Sequence, residues 1–377
     1  MNSYDAIIVG GGIIGASIAW ELSRKKLRIL VLDRREPGRE ASWAAAGMLS
    51  PAPDSADALP LFPFARESFA LYPEFIAAVE AATGIPTGFR REGTLEIFFG
   101  LEGESSRERL LAEHPRLGLT TETISLESAR KMEPALSPEI SAALWLPEEY
   151  SVEPRALTRA VLAAAAREAV EIRADTAVLS LLLDSQRIVG VATDTEKFSA
   201  AHVIIAAGCY SAQIEGLAAL APVRPARGQM VGLAPASPLL TRVLRSEHGY
   251  LVPRNSGEIA AGSTIENAGF EITTTHEGVS GILRSAVALV PALRSARINE
   301  TWAGLRPGTP DHLPIIGPAD RAGLILATGH YRNGILLAPA TARAVADLVT
   351  EGATSFPVAE FSPLRFARTH SRATQTF

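Results

Sequence analysis

The stretch "AIIVGGGIIGASIAW", Ala6 to Trp20, decides the fold. Ala6–Val9 is a short apolar run, the pattern of a strand buried in a parallel sheet. Glycines follow at once, then a helical segment through about Arg24, then a second apolar run from Arg28 to Leu32. This reads as one βαβ unit with a right-handed crossover. Gly10, Gly12 and Gly15 have the G-x-G-x-x-G spacing. The first permits a tight turn, the second lets backbone approach a pyrophosphate, and the third lets helix pack against strand. The helix start at Ile13 and Ile14 offers free N–H groups and a positive dipole end to phosphates. Asp33, followed by Arg34, ends the second strand, where a carboxylate can accept hydrogen bonds from ribose hydroxyls.

Other bulk features narrow the class. The apolar start is not read as a signal peptide, because Asp5 and no Lys or Arg precedes it and no small-residue cleavage site follows. No uninterrupted apolar run is long enough to cross a bilayer. The chain has 377 residues, 47% hydrophobic and 20% charged, which fits two domains and a sizeable core. A net charge of -5 gives no reason to expect a nucleic-acid or acidic-membrane partner. Cys209 is the single cysteine, so no internal disulfide can form, and a cytoplasmic location is expected. There is no Cys/His cluster with zinc spacing and no G-x-S-x-G elbow.

Two further segments have the character of the first strand: His202–Ala207, ending in Gly208, and Leu324–Ala327, ending in Gly329. They are expected in one sheet with it, so the nucleotide domain is expected to be discontinuous, over 1–88, 148–221 and 300–364. Leu61–Ala82 and Pro154–Val170 have helical periodicity, with Pro154 suited to a first turn. "GTLEIFF" (Gly93–Phe99), "QMVGLAP" (Gln229–Pro235), "YLVP" from Tyr250 and "EIAAG" from Glu258 read as strands of a more antiparallel sheet. They define a second, substrate domain over 89–147 and 222–299. The polar segment 365–377 reads as a frayed tail. The expected class is α/β: a Rossmann-like domain with a smaller antiparallel-sheet domain.

The glycine fingerprint does not separate FAD from NAD. Two other stretches favour FAD. "ASWAAAGM" (Ala41–Met48) has small residues that let a loop lie flat on a flavin and its pyrophosphate: Ser42, Ala45, Ala46, Gly47 and Met48. The plain alternative is a small-residue turn. "GHYRNGILLAPATARAVADLV" begins at Gly329, and its helix begins near Gly334. The N-terminus of that helix, with His330, Arg332, Asn333, Gly334, Ile335 and Leu336, would face the flavin pyrimidine edge, where negative charge develops on reduction. The plain alternative is one more core helix.

These stretches, with "SVEP" at Ser151, "HGYLVPR" at His248, "WAGLRPGTPD" at Trp302 and "GHYRNGILLAPAT" at Gly329, carry a family resemblance. The chain resembles the D-amino-acid-oxidase superfamily of flavoproteins, and within it the glycine oxidases of thiamine biosynthesis. The resemblance runs from near the N-terminus to about residue 350. It implies a p-hydroxybenzoate-hydroxylase-like arrangement, a non-covalent FAD, and oxidation of glycine, sarcosine or small D-amino acids to the imine, with dioxygen reduced to peroxide. It also implies a homotetramer.

Residue by residue, Arg306 matches an arginine that grips the substrate carboxylate, which suits its guanidinium fork. Tyr250 matches a tyrosine that reaches the same carboxylate, and Arg332 an arginine near the flavin and the substrate entrance. Val178 falls at a backbone contact to the adenine side of FAD. Gly304 stands where covalent relatives carry their flavin-linking cysteine. Two departures are notable. Asp33 stands where many relatives have glutamate, and Ile265 stands where a close relative has a pocket methionine.

Each candidate also has a structural reading. Arg306 can be a salt-bridge partner and Tyr250 a boundary residue; His330, His248 and Trp302 read as turn or packing residues, and Cys209 as a buried hydrophobe. With the carboxylate fixed, hydride loss from the carbon beside the amine needs no side-chain base. Two rivals remain: a same-fold dehydrogenase passing electrons to a quinone or carrier, and a flavin-binding module without turnover.

Overall fold

In this computed structural model, which describes residues 3–53 and 55–366, three pieces distant in sequence lie side by side. Lys197–Ile205 runs parallel to Ser3–Val9, and Leu324–Thr328 runs parallel to Lys197–Ile205. On the other flank Ile29–Leu32 and then Glu171–Arg173 continue in parallel. An edge strand, Ile315–Pro318, and a hairpin, Ser180–Asp184 with Arg187–Ala192, add antiparallel pairs. All four residues of Ile29–Leu32 are buried. A strand covered on both faces must be apolar throughout, which is why it lacks alternation.

One face of this sheet packs on helices Ile13–Ser23, Phe62–Thr83, Pro154–Arg167 and Gly334–Thr350. The helix predicted from Pro154 begins there, with the Glu153 side chain accepting the Arg155 N–H. The opposite face is covered by a smaller cluster that includes Phe198, Ile214, Leu217 and Leu305.

The second sheet has eight strands in the order Arg297–Gly308, Arg224–Ala234, Ile259–Gly262, Gly249–Pro253, Val243–Ser246, Thr94–Phe98, Ala142–Leu146 and Glu122–Ile124. Every pair is antiparallel except Val243–Ser246 with Thr94–Phe98, which is parallel. Register partners across a sheet project to one face. Leu144, Glu96, Arg245, Tyr250, Gly262, Met230 and Trp302 form one such row. The neighbouring Leu95, Leu244, Leu251 and Val231 project to the other face, into a core closed by helix His276–Leu289. Strict alternation therefore gives this sheet a greasy back and a functional front.

Three expectations change. "ASWAAAGM" is not loop throughout, since Ala41–Ala44 forms a helical turn before Met48–Leu49 becomes a short strand. Strand Arg297–Gly308 runs across the expected boundary at residue 300. Arg365 is docked rather than frayed: its guanidinium pairs with Asp311 at 2.7 and 3.1 Å and donates to the Leu313 carbonyl. The rest of the expected tail, from 367, lies outside the described residues.

Just before Arg365, Phe361 is fully buried and meets the Phe64 ring edge-on, centroids 5.5 Å apart. Replacing it with alanine leaves a cavity in the helical layer. Phe361→Ala is expected to cost about 3–5 kcal/mol, read as a lower midpoint in chemical denaturation. An unchanged midpoint would mean that this segment is not docked.

Candidate active site

A cavity of about 710 Å³ runs between the two sheets, from the glycine turn to the front of the second sheet. At its first end the glycines have strict steric reasons. A Cβ on Gly10, whose φ is +107°, would lie 2.4 Å from the Ala206 carbonyl oxygen, and one on Gly15 only 1.9 Å from the Gly10 oxygen. Asp33 is buried and accepts the Gly11 N–H at 2.7 Å and the Arg35 N–H at 3.0 Å. Burial raises its carboxyl above the ordinary value, and these two N–H bonds act against that rise. The Ile13 N–H, at the helix start, is received by Ser42 Oγ at 2.9 Å, so the 41–48 segment is tied to the glycine helix. The Arg34 guanidinium carbon lies over the Tyr210 ring, 3.9 Å from its centroid.

At the middle of the cavity stands the start of helix Gly334–Thr350. No side chain caps it from Asn333, which leaves its first-turn N–H groups available. Its aim is set by an interruption further along. Pro339 lies inside the helix and has no N–H, so the Ile335 carbonyl loses its usual donor. The fully buried Tyr72 hydroxyl replaces it, donating to Ile335 O. Ser68 Oγ bridges the next rung, accepting the Ala340 N–H and donating to Leu336 O. Two residues of Phe62–Thr83 thus fix the turn that faces the cavity.

At the far end, Arg306 emerges from strand Arg297–Gly308. Its Nη1 donates to the Thr264 carbonyl at 3.0 Å and its Nη2 to Ser263 Oγ at 2.7 Å. A Cβ on Gly228 would sit 2.2 Å from Nη1, so the guanidinium lies directly on bare backbone. Burial, with Arg332 contributing, pulls its pKa below the ordinary arginine value, and it remains a cation at neutral pH. The Tyr250 hydroxyl interacts with Arg306 and donates to Met230 Sδ at 3.3 Å. Ser263–Glu266 is pinned in turn: Arg227 and Glu266 exchange backbone hydrogen bonds at 2.9 Å, and Gln229 Nε2 donates to Glu266 at 2.7 Å. Only part of the Arg306 donor fork is used internally, which leaves N–H groups for an anionic ligand.

One half-buried guanidinium, one tyrosine hydroxyl, an uncapped helix start and a glycine cradle in a single cavity suit a dinucleotide beside a small carboxylate. The FAD dependent oxidoreductase (DAO) family model matches residues 5–348. The chain belongs to that family. It is 37% identical over 371 residues to the bifunctional protein ThiO/ThiG of Trichormus variabilis, covering 97% of this chain and 55% of that protein. It therefore spans about half the length of that relative. It is 34% identical to the glycine oxidase of Geobacillus kaustophilus and 34% identical to the hydrogen cyanide synthase subunit HcnC of Pseudomonas aeruginosa, covering 97% of each chain in both cases. The crystal structure of the Geobacillus kaustophilus glycine oxidase superposes with a TM-score of 0.92 at 33% identity, covering 97% of this chain and 99% of that one.

The cofactor that this family uses fits the residues present. Gly10, Gly12, Ile13, Ile14, Asp33, Arg34, Ser42, Ala45, Ala46, Gly47, Met48, Val178, Gly208, His330, Arg332, Asn333, Gly334 and Ile335 all line the cavity, as do Arg306, Tyr250 and Ile265. Gly15 lies outside the lining because it packs under the turn. Leu336 is also outside it, its side chain buried in the helical core. A Cβ on Gly304 would lie 2.3 Å from Ala44 Cβ, so this position has no room for a flavin-linking side chain.

His248 sits in a hairpin turn, exposed and 3.5 Å from Glu247. Trp302 packs edge-on against Trp43 and donates Nε1–H to Ala44 O at 3.0 Å. Burial pushes the Cys209 thiol up to about 12. Sequence reasoning missed Ser263, Gly228 and Met230. Their roles depend on which strand lies beside Arg306 and Tyr250, which no local pattern encodes.

Tyr72→Phe leaves the Ile335 carbonyl buried without a donor and is expected to cost about 1–3 kcal/mol. Adding Pro339→Ala supplies a backbone N–H and should recover part of that loss in denaturation experiments. Equal instability of the single and double variants would remove Tyr72 from this role. His330 faces Thr341 Oγ1 at 3.1 Å, and burial pushes its pKa down to about 3. The unfolded chain binds a proton below about pH 6.5 that the folded chain refuses, so stability falls as pH falls from 6.5 toward 3. At pH 5 the cost is about 2 kcal/mol. The stability difference between wild type and His330→Gln should shift by that amount between pH 7.5 and 5; a pH-independent difference would refute it.

Proposed function

We propose that the chain is an FAD-dependent oxidase of glycine and other small amines or amino acids, such as sarcosine and D-alanine. The overall reaction takes the amine and dioxygen to the imine and hydrogen peroxide. The observation that carries this reading is Arg306: a half-buried cation whose donor fork is only partly used, beside the Tyr250 hydroxyl, in the cavity that also holds the dinucleotide fingerprint. The full-length likeness to a glycine oxidase supports it.

FAD, held by the Gly10–Gly15 turn, Asp33, the Ala45–Met48 segment and the Gly334 helix start, supplies a two-electron acceptor that dioxygen regenerates. Arg306 and Tyr250 grip the carboxylate and fix the carbon beside the amine, which removes orientational freedom before the chemical step. The Arg306 charge also lowers the pKa of the nearby ammonium, favouring the neutral, electron-rich amine. His330 is held by Thr341, and His248, exposed among the cavity-lining residues, faces Glu247; with the carboxylate fixed, hydride loss needs no side-chain base. By the same likeness we propose a cytoplasmic homotetramer whose imine serves the thiazole moiety of thiamine. No helix among the described residues is long and apolar enough to cross a membrane. The equal likeness to the hydrogen cyanide synthase subunit favours a second reading, a subunit of a cyanide-forming enzyme.

A peroxide-coupled assay over small amines, with cyanide measured in parallel, separates the two. Peroxide without cyanide is expected. Bleaching of the flavin without peroxide would indicate a dehydrogenase, and an unbleached flavin would indicate a binding module. Arg306→Ala is expected to keep its yellow flavin and lose about two orders of magnitude in kcat/KM for glycine, about 3 kcal/mol. Unchanged glycine kinetics would remove Arg306 from its role.

A further inference from the structure

Besides Arg34, Arg306 and Arg332, the same cavity is lined by Arg245, an arginine that the reaction above does not use. Arg245 is the register partner of Tyr250 on the neighbouring strand, so it projects from the functional front of the sheet. It lines the cavity together with Ser50 and Tyr250. Tyr250 therefore stands between two guanidiniums: its hydroxyl interacts with Arg306, and its strand position faces Arg245.

The two arginines differ in what surrounds them. Arg306 has only neutral acceptors, the Thr264 carbonyl and the Ser263 hydroxyl. Arg245 is enclosed by carboxylates. Its Nε donates to Glu96 Oε2 at 2.5 Å, and Nη1 and Nη2 donate in parallel to the two oxygens of Glu149 at 3.2 Å each. Glu96 and Glu149 are both buried, and Ser50 Oγ donates to Glu149 Oε1 at 2.5 Å. The adjacent His114 is buried against Thr121, and its burial depresses its protonation. One guanidinium and two carboxylates therefore leave the cluster with one net negative charge.

We propose that the Glu96–Arg245–Glu149 cluster is a charge filter: it occupies a second carboxylate-binding arginine and rejects substrates that carry a second carboxylate. The physical case is direct. A substrate held by Arg306 through one carboxylate has its other end in the same cavity. A free Arg245 there would bind a second carboxylate bidentately and admit dicarboxylic amines. With two buried acids on it, Arg245 attracts no further anion, and the cluster's surplus charge repels one in a poorly screened site. Like-charge exclusion of this kind discriminates between ligands of equal size, which cavity volume cannot do. Ser50 holds Glu149 from the cavity side, so the carboxylate stays on Arg245 rather than turning to the substrate.

This inference rests on the oxidase reading, and isosteric pairs test it separately. The flavin-loaded enzyme should turn over D-asparagine at least tenfold more efficiently, in kcat/KM, than D-aspartate. In Glu149→Gln, and independently in Glu96→Gln, the cluster becomes neutral and that ratio should fall at least tenfold. A ratio that stays the same in folded variants would overturn the filter. If a variant does not fold, the wild type alone decides. Succinamate should perturb the flavin absorption spectrum at lower concentration than succinate, and the reverse order would overturn the proposal. This binding readout needs no turnover, so failure of the oxidase reading, seen as no peroxide and no bleaching with any small amine, is distinct from failure of the filter.

Discussion

The contact on which the molecule depends is the approach of strand Arg297–Gly308 to the Ala41–Met48 segment. Gly304 lies against Ala44 with no space for a side chain, and the Trp302 indole donates to the Ala44 carbonyl. Arg155 adds a third tie, lying over the Trp43 ring at 3.6 Å, donating to the Trp43 carbonyl at 3.2 Å and pairing with Glu300 at 2.9 Å. The strand that carries Arg306 is thus locked to the segment that walls the cofactor cavity. The placement of Arg306 relative to the glycine-turn end of the cavity is set by this contact, and on the proposed function a small displacement there would misplace the reacting groups.

Charge is arranged with the same economy. The cavity has positive potential at the glycine helix start, at the Gly334 helix start and at Arg306. The first two suit phosphates and an electron-rich ring edge, and the third suits a carboxylate. Arg245, the remaining cation of the sheet front described above, is neutralised by Glu96 and Glu149. Burying such groups is costly unless each is paired, and these are paired with good geometry. Arg306 is the exception, held by neutral acceptors. A half-buried cation with neutral company is the arrangement expected where an incoming anion completes the set.

Much of the site was legible because it is local. The spacing of Gly10, Gly12 and Gly15 encodes a tight turn and a close helix–strand approach, and Gly10 and Gly15 are packed so closely on backbone that no Cβ fits there. The position of Asp33 at the strand end was readable, and its carboxylate lines the cavity while accepting the Gly11 and Arg35 N–H groups. The "WAGLRPG" and "HYRNG" stretches pointed to Arg306 and Arg332 through a resemblance, and both line the cavity. What was not legible is relational. Ser263 positions Arg306 from 43 residues away, and Tyr72 replaces a donor that Pro339 removed 267 positions later. Glu96 and Glu149 meet Arg245 only because strands distant in the chain become neighbours.

The sequence by itself determined the βαβ nucleotide unit, the discontinuous parallel sheet and the alternating strands of a second sheet. Hydrophobic period and glycine spacing are local quantities, and they need no knowledge of the partner. The tertiary structure alone decided that Arg245 is closed by two carboxylates while Arg306 meets neutral acceptors. That depends on register and on which carboxylates the register brings within hydrogen-bond reach. Arg245 and Arg306 are alike as letters in the chain. Their surroundings make one a closed ion-pair cluster and leave the other among neutral acceptors, because the free energy of a charge away from bulk water is set by its neighbours in space.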